Sequence, residues 1–340
     1  MKNISIFQLI LIAIFVVAAI GGLILFARYK GSSAGQNTPM TEVWGVIPNT
    51  QFSTIQTALQ EDKTFKINYT EKAPAAFYGN LIETLAAGNG PDVIIMPENL
   101  LLKLRSKIFE IPFESMSERT FRDTFFDESE LFLTATGITA LPFSVDPLVM
   151  YWNRDTFASA GIAKPPAIWD EFIPLSQTLT NKDVSGNVLR SAVALGEFDN
   201  ITNAKEILSA LFLQIGAPPL ATNATSAGVT ALNFYTQFSN PLSLTYSWNK
   251  SLSNSRDMFL TGDLAIYFGF ASELANLRER NPNLYFDAAA LPQPKGAKKS
   301  ITFGKLYGAA VLKSSHDIAN SVRIAGLLTS ATASAAFSKA

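Results

Sequence analysis

Covalent chemistry needs a nucleophile, a base or a metal centre, and this chain carries few of the parts. It has no cysteine and one histidine, His316, among 340 residues. Thiolate catalysis, disulfides, Cys-ligated zinc and a multi-histidine metal site are therefore excluded within one chain. His316 follows Ser314-Ser315 and precedes Asp317 at the start of a helical pattern, a surface position rather than that of a general base. The residues Gly31 to Gly35 spell G-x-S-x-G. A nucleophile elbow requires a strand-to-helix turn, and these residues sit in a Gly/Ser-rich tether, so we read the match as chance. Two carboxylates at a suitable separation suffice for glycoside hydrolysis, and Asp146 with Glu197 or Glu273 is such a pair, but no local motif joins them. Gly88-Asn89-Gly90 follows a helical pattern and precedes a strand pattern, the reverse of the order in which a glycine loop cradles phosphate. No cofactor is expected.

Composition narrows the field further. The 27 basic and 28 acidic side chains leave a net charge of −1, without the basic excess that a phosphate backbone demands, so nucleic acid is not an expected partner. Hydrophobic residues reach 48%, enough for two domains with cores of their own. From Leu9 to Ala27 there is no polar side chain, and Ile4 to Ala27 is uncharged. As a helix the Leu9–Ala27 stretch rises roughly 28 Å, matching the hydrocarbon core of a bilayer. It runs on to Arg28-Tyr29-Lys30 without the small-residue exit of a cleaved signal peptide. We expect a single-pass transmembrane anchor over 4–27, a flexible linker over 28–40 and an extracytoplasmic body over 41–340.

The body alternates strands and helices. Glu42-Val43-Trp44 reads as a strand, and Phe52, Ile55 and Leu59 mark one face of a helix capped by Thr50. Phe65, Ile67 and Tyr69 alternate as a half-buried strand should. Ala75–Ala87 is helical with Gly88 as its stop, and Val93-Ile94-Ile95-Met96 is apolar on both faces, as in a buried parallel strand. A second, less regular series runs through Leu148–Trp152, Asp155–Ala160, Ala204–Ile215, Val229–Phe238, Leu264–Phe268, Ala271–Arg280, Phe286–Leu291, Tyr307–Leu312 and Asp317–Thr329. The expected class is α/β, with two lobes. Ligands of open α/β sheets sit beyond the carboxyl ends of the strands, which points to the loops Trp44–Asn49, Thr70–Pro74 and Pro97–Asn99.

Five segments, in order, resemble the extracellular solute-binding proteins, family 1, of ABC importers. They are Gly88-Asn89-Gly90-Pro91-Asp92 before a buried strand; Leu141-Pro142 through Tyr151-Trp152-Asn153-Arg154-Asp155-Thr156-Phe157; Ala160-Gly161-Ile162 with Pro165-Pro166 and Trp169-Asp170-Glu171-Phe172; Phe259-Leu260-Thr261-Gly262-Asp263-Leu264-Ala265-Ile266; and Thr302-Phe303-Gly304 with Leu312-Lys313-Ser314 and Leu327-Leu328-Thr329-Ser330. The resemblance implies a type II periplasmic-binding-protein fold, hinged between lobe one, about 41–144 plus 291–340, and lobe two, about 146–290. It implies a receptor that captures a sugar or oligosaccharide and delivers it to permease subunits, without chemistry. The alternatives are a membrane-anchored carbohydrate-active enzyme and a sensory ectodomain. The chain departs from the family pattern in lacking a lipobox cysteine, in carrying Ala167 where a helix-capping Thr is usual, and in stopping at Ala340 ahead of C-terminal helices.

Through this resemblance the ligand contacts are Trp44, Asn99, Asp146, Gly269, Phe270, Gly304 and Tyr307. Trp44 ends the first strand at the ligand edge and either stacks on sugar or packs under the first helix. Asn99 follows the Val93–Met96 strand and either hydrogen-bonds the solute or caps the next helix. Asp146 stands where a carboxylate contacts ligand, and Asp146-Pro147 equally suits a turn. Gly269 permits close backbone approach and Phe270 offers a stacking face. Gly304 and Tyr307 hold the equivalent late strand, and Tyr307 either stacks on the solute or fills the sheet face. Trp152 and Trp169 are assigned to the core, and Trp248 to an exposed loop near the cleft.

Overall fold

The computed structural model describes residues 40–59, 65–216 and 226–339. The segment 4–27, read above as a membrane anchor, lies outside them. Among the described residues no helix is long and apolar enough to cross a membrane.

Among the described residues eleven strands carry the fold: β1 (Met40–Gly45), β2 (Lys66–Glu71), β3 (Val93–Pro97), β4 (Ile111–Pro112), β5 (Gly137–Ile138), β6 (Leu141–Asn153), β7 (Asn181–Lys182), β8 (Val188–Val193), β9 (Leu264–Phe270), β10 (Phe286–Ala289) and β11 (Gly304–Val311). Nine form a mixed sheet in the order β2-β1-β3-β11-β6-β9-β8-β7, with β10 beside β6; β4 and β5 pair separately. The parallel unit β2-β1-β3 is built as its sequence pattern requires. Helix Asn49–Leu59 buries Phe52, Ile55 and Leu59, and helix Pro74–Ala86 buries Phe77 and Leu81 behind a proline in its first turn. Val93 to Met96 are fully buried, between β1 and β11.

Two separate hydrophobic cores divide the molecule into lobes. One gathers Val43, Phe52, Ile94, Leu104, Phe121, Ala310 and Ile324; the other gathers Tyr151, Trp169, Phe172, Leu211, Phe238, Phe259 and Phe268. Strand β6 belongs to both. Its first half pairs with β11, and its second half pairs with β9 and β10. The sequence pattern marks only Leu148–Trp152 of this 13-residue strand, because Pro142 and Pro147 interrupt the apolar run. The structure accommodates Pro142 beside a register shift at Tyr307/Gly308 and sets Pro147 opposite Gly304, where a missing ladder donor is tolerated. Strand β8 and helices Glu118–Thr124, Phe172–Leu179, Ser255–Thr261 and Ala331–Phe337 add to the elements read from periodicity.

Trp248 corrects one expectation. It is fully buried in the second core, and its indole N–H donates to Asn200 Oδ1 at 3.0 Å. The polar setting Ser247-Trp248-Asn249-Lys250 reads as a surface loop, but a single large ring outweighs its neighbours when a pocket and a hydrogen-bond acceptor are both supplied.

Candidate functional site, the cleft between the lobes

A cavity of about 580 Å³ opens where the carboxyl ends of β1 and β2 face the waist of the molecule. Lobe one supplies Ile47 and Gln51 to its wall, β6 supplies Ser144 and Asp146, β11 supplies Tyr307, and the turn after β9 supplies Ser272. Two of the loops singled out by the strand-edge rule contribute to it, through Ile47 and Pro74.

The Ile47 side of the wall is held rigidly. Tyr69 Oη donates to the Ile47 carbonyl at 2.7 Å and accepts from the Ile47 N–H at 3.0 Å. Burial of that phenol drives its pKa upward, so it stays a neutral donor and acceptor. Gly45 is needed beneath it, since a Cβ there would lie 2.7 Å from Tyr69 Oη. Glu71 Oε2 accepts the Asn49 N–H at 2.8 Å and ties the same loop to β2. The ring of Tyr69 stacks on Phe52 at 3.7 Å, which locks its rotamer.

On the waist side, Asp146 bridges elements that are far apart in sequence. Its Oδ1 accepts the Ser272 N–H at 3.0 Å and its Oδ2 accepts the Ser272 hydroxyl at 2.6 Å. Tyr307 stands half-buried beside it. Burial pushes the phenol up to about 12, and the Asp146 and Glu98 carboxylates add to the shift. Gly304 packs at the same edge, where a Cβ would lie 3.0 Å from Val145 Cγ1. Asp146 and Tyr307 are thus brought together in one cavity, with Gly304 at its margin.

The other sequence-derived contacts sit differently. Trp44 is 9% exposed, within the first core, and the Lys72 ammonium lies 3.9 Å above its ring centre. Phe270 is 2% exposed; Lys305 Nζ lies 3.5 Å above its ring centre and Phe303 meets its edge. Gly269 is buried between rings. A Cβ there would meet Tyr267 Cε1 at 2.6 Å, Tyr151 Cε2 at 3.1 Å and Glu273 Oε1 at 3.2 Å, so its lack of a side chain serves packing. Asn99 is exposed on the 3₁₀ turn Glu98–Leu100, which is preceded by Pro97 and has no side-chain cap. Its neighbour Glu98 turns toward β11 instead and accepts the Leu306 N–H at 2.9 Å. Burial raises the Glu98 carboxyl above the usual carboxylate range, against the pull of Lys305 and Lys205.

Sequence reasoning passed over Gln51, Ser144, Ser272 and Glu98. Gln51 and Ser272 belong to loops or helix starts whose role is set by the partner lobe, and only Glu98 carried a signal, as the acidic residue directly after β3. Among the described residues no three His, Cys, Asp or Glu side chains are placed to hold a metal ion.

The family model for bacterial extracellular solute-binding proteins matches residues 49–335. The chain belongs to this family. A binding protein of Brucella abortus (strain 2308) is 24% identical to this solute-binding chain over 157 residues, 45% of this chain and 38% of the relative. The chain thus spans about 38% of the length of the curated relatives it matches. Among solved structures, the ABC substrate-binding protein of Listeria monocytogenes in complex with cycloalternan superposes with a TM-score of 0.66 at 14% identity, covering 86% of this chain and 75% of that one. A solute-binding protein of an ABC transporter from Thermotoga lettingae, bound with alpha-D-tagatose, superposes at 0.63 with 17% identity, covering 86% and 78%. At these identities the likeness establishes the fold, the two-lobed α/β architecture of this family.

For a family member, the geometry gives the cleft a simple capability. One wall is preorganised on lobe one, the opposite wall belongs to the turn after β9, and β6 connects them. Small polar groups and two aromatic rings, Tyr307 and Phe337, border a largely apolar space, the common composition of small-molecule sites.

Proposed function

We propose that this chain is the extracytoplasmic solute receptor of an ABC importer. It captures a sugar or oligosaccharide in the cleft by hinge closure and presents it to permease subunits. The observation that carries this reading is the shared wall of the cavity: Ile47 and Tyr307 come from one lobe, Ser272 from the other, and Asp146 from the strand running between them. A solute that satisfies all of them is held only when the lobes approach, which is the logic of hinge closure around a ligand. The hinge lies at β6 and the entry to β11, with lobe one taken as about 41–144 plus 291–340 and lobe two as about 146–290.

Asp146, Tyr307 and Gly304 face the solute in this reading, and Trp44 and Phe270 lie behind lysines at its margin. Residues 4–27 anchor the body to the cytoplasmic membrane, in place of a lipid on a cysteine. The function is binding without turnover. Glu273, one of the two carboxylates, with Glu197, that could pair with Asp146 in a glycosidase, is occupied by the Tyr267 hydroxyl at 2.7 Å, the Phe270 N–H at 3.0 Å, Arg256 Nε at 2.9 Å and Asn203 Nδ2 at 3.1 Å. So many donors leave it no free lone pair for a proton or an anomeric carbon.

Thermal unfolding of the full chain against a panel of neutral sugars, acidic sugars, amino acids and phosphate esters tests the reading. A ligand at a hundred times its Kd adds about 2.7 kcal/mol and moves the midpoint by a few degrees. A shift by a saccharide that is recovered unchanged is the expected result. A shift by amino acids alone, or conversion of the sugar, overturns it.

A further inference from the structure

Two buried aromatic rings, each within a few residues of the cavity lining at Val46–Ile47 and at Ala271–Ser272, have lysine ammonium groups resting on them. Lys72 Nζ lies 3.9 Å from the centre of the Trp44 ring, on the loop after β2, and Lys305 Nζ lies 3.5 Å from the centre of the Phe270 ring, on β11. Neither ammonium forms an ion pair with a carboxylate among the described residues, whereas the carboxylates at the same edge already have donors. Asp146 holds Ser272, Glu98 holds the Leu306 N–H and Glu71 holds the Asn49 N–H. A third lysine, Lys205, lies in the first turn of the lobe-two helix Ala204–Gln214, and its charge favours the ionised form of Glu98. Lys305 and Tyr307 are two residues apart on one strand and share a face, which puts the Lys305 side chain on the same side of β11 as the cavity-lining tyrosine.

We propose that the solute is a carboxylated saccharide, of the uronate class, whose carboxylates draw Lys72 and Lys305 off the Trp44 and Phe270 rings and leave those faces to the sugar. The inference rests on the carbohydrate reading above and narrows it. An ammonium over a ring is held by the ring quadrupole, and a neutral sugar that stacks there must displace it without replacing its electrostatic partner. A uronate supplies both halves of the exchange. Its carboxylate takes the lysine as a charge-assisted hydrogen-bond partner, and its C–H face takes the ring. The lysines therefore work against neutral sugars and for acidic ones, so that specificity arises as a difference between the two.

The test compares each of trigalacturonate, triglucuronate and trimannuronate with its own carboxyl methyl ester, by titration calorimetry on the full chain. The methyl ester preserves the ring and removes the charge. The expected result is that one acid form binds at least roughly tenfold more tightly than its ester. That preference should shrink in both Lys72→Gln and Lys305→Gln, and recover in Lys305→Arg, which keeps the charge. Equal or tighter binding by every ester, or by maltotriose over every acid, overturns the charge inference and leaves the carbohydrate reading standing. Failure of all these saccharides, neutral ones included, overturns both. A melting curve for each variant shows that it is folded, so that lost binding is read at the cleft.

Discussion

Asp146 and Ser272 are 126 residues apart in sequence, yet the carboxylate of one takes both the backbone N–H and the hydroxyl of the other, at 3.0 and 2.6 Å. Asp146 lies on the strand that joins the lobes, and Ser272 precedes helix Glu273–Arg280 of the second lobe. The pair ties the second lobe to the crossing strand in the wall of the cavity. Replacing Asp146 by Asn keeps one acceptor and loses the charge. We expect Asp146→Asn to cost about 0.5–1.5 kcal/mol of stability and to loosen solute binding by roughly tenfold, since the solute must then order the hinge itself. Ser272→Ala should weaken binding less, and a double-mutant cycle read by calorimetry should show the two substitutions to be non-additive. Strict additivity in that cycle would separate Asp146 from Ser272 and leave the hinge role without support.

Asp92 anchors the opposite end of the first lobe, and its carboxylate links the stability of that lobe to pH. Burial pushes its carboxyl upward, but the N–H groups of Glu42 and His316 and the Ser315 hydroxyl outweigh that and hold it below the usual carboxylate range. With the folded-state pKa depressed, the unfolded chain binds the proton more readily. The stabilisation is therefore present above the ordinary Asp range and is lost as pH falls through the folded-state pKa. Unfolding free energy, measured in urea from pH 7 down to pH 2.5, should decline in the acid range more steeply for the parent than for Asp92→Asn. That variant should be less stable at pH 7 by about 1–3 kcal/mol, because three donors lose a charged acceptor. Parallel pH profiles would remove Asp92 from the account of acid sensitivity.

How far the sequence reveals these features depends on whether a residue's role is set locally. The first three strands and their helices follow from periods of two and 3.6 residues, and Gly88 and Gly262 end helices through positive φ values of 76° and 86°. The strand Leu141–Asn153 was legible only in part, because its two prolines lie where pairing across lobes, not propensity, decides the conformation. The strand-edge rule pointed to the loops carrying Ile47 and Pro74 and family likeness to Asp146 and Tyr307, and all four line one cavity. Family likeness also pointed to Asn99, which is exposed, while the carboxylate one residue earlier accepts the Leu306 N–H of β11. Which of two adjacent residues points toward β11 is a matter of a 3₁₀ turn of three residues, below the resolution of any periodicity. The lysines over Trp44 and Phe270 were equally invisible, since each pairing joins residues far apart in the chain.

Gly269 separates packing from ligand approach. A methyl group there meets two aromatic rings and the Glu273 carboxylate, with the nearest atom at 2.6 Å. The rings of Tyr151 and Tyr267 are themselves stacked at 6.1 Å, so neither can yield without disturbing the other. Gly269→Ala should therefore destabilise the protein by about 1–3 kcal/mol through overpacking. Solute affinity, measured well below the melting midpoint, should stay within about threefold of the parent. A large loss of affinity at unchanged stability would instead place the backbone of Gly269 against the solute.

Glu273 lies at the centre of a partly buried network, and its replacement distinguishes a structural carboxylate from a catalytic one. Arg256 Nη2 approaches it at 2.8 Å while Tyr267, Asn203 and the Phe270 N–H complete its shell, and its side chain is only 14% exposed. Removing one member of such a cluster strands the others; for a pair this close to the surface we expect Glu273→Ala to cost roughly 2–3 kcal/mol, less than a fully buried ion pair. Because the network fixes the start of the helix behind Ser272, solute affinity should fall along with stability. Glu273→Gln should recover part of both, since its amide oxygen still accepts. Neither variant should change the fate of a bound saccharide, which chromatography after prolonged incubation would find intact in the parent as well. Hydrolysis by the parent that Glu273→Gln abolishes without lowering the melting midpoint would make Glu273 a catalytic residue and the cleft an active site.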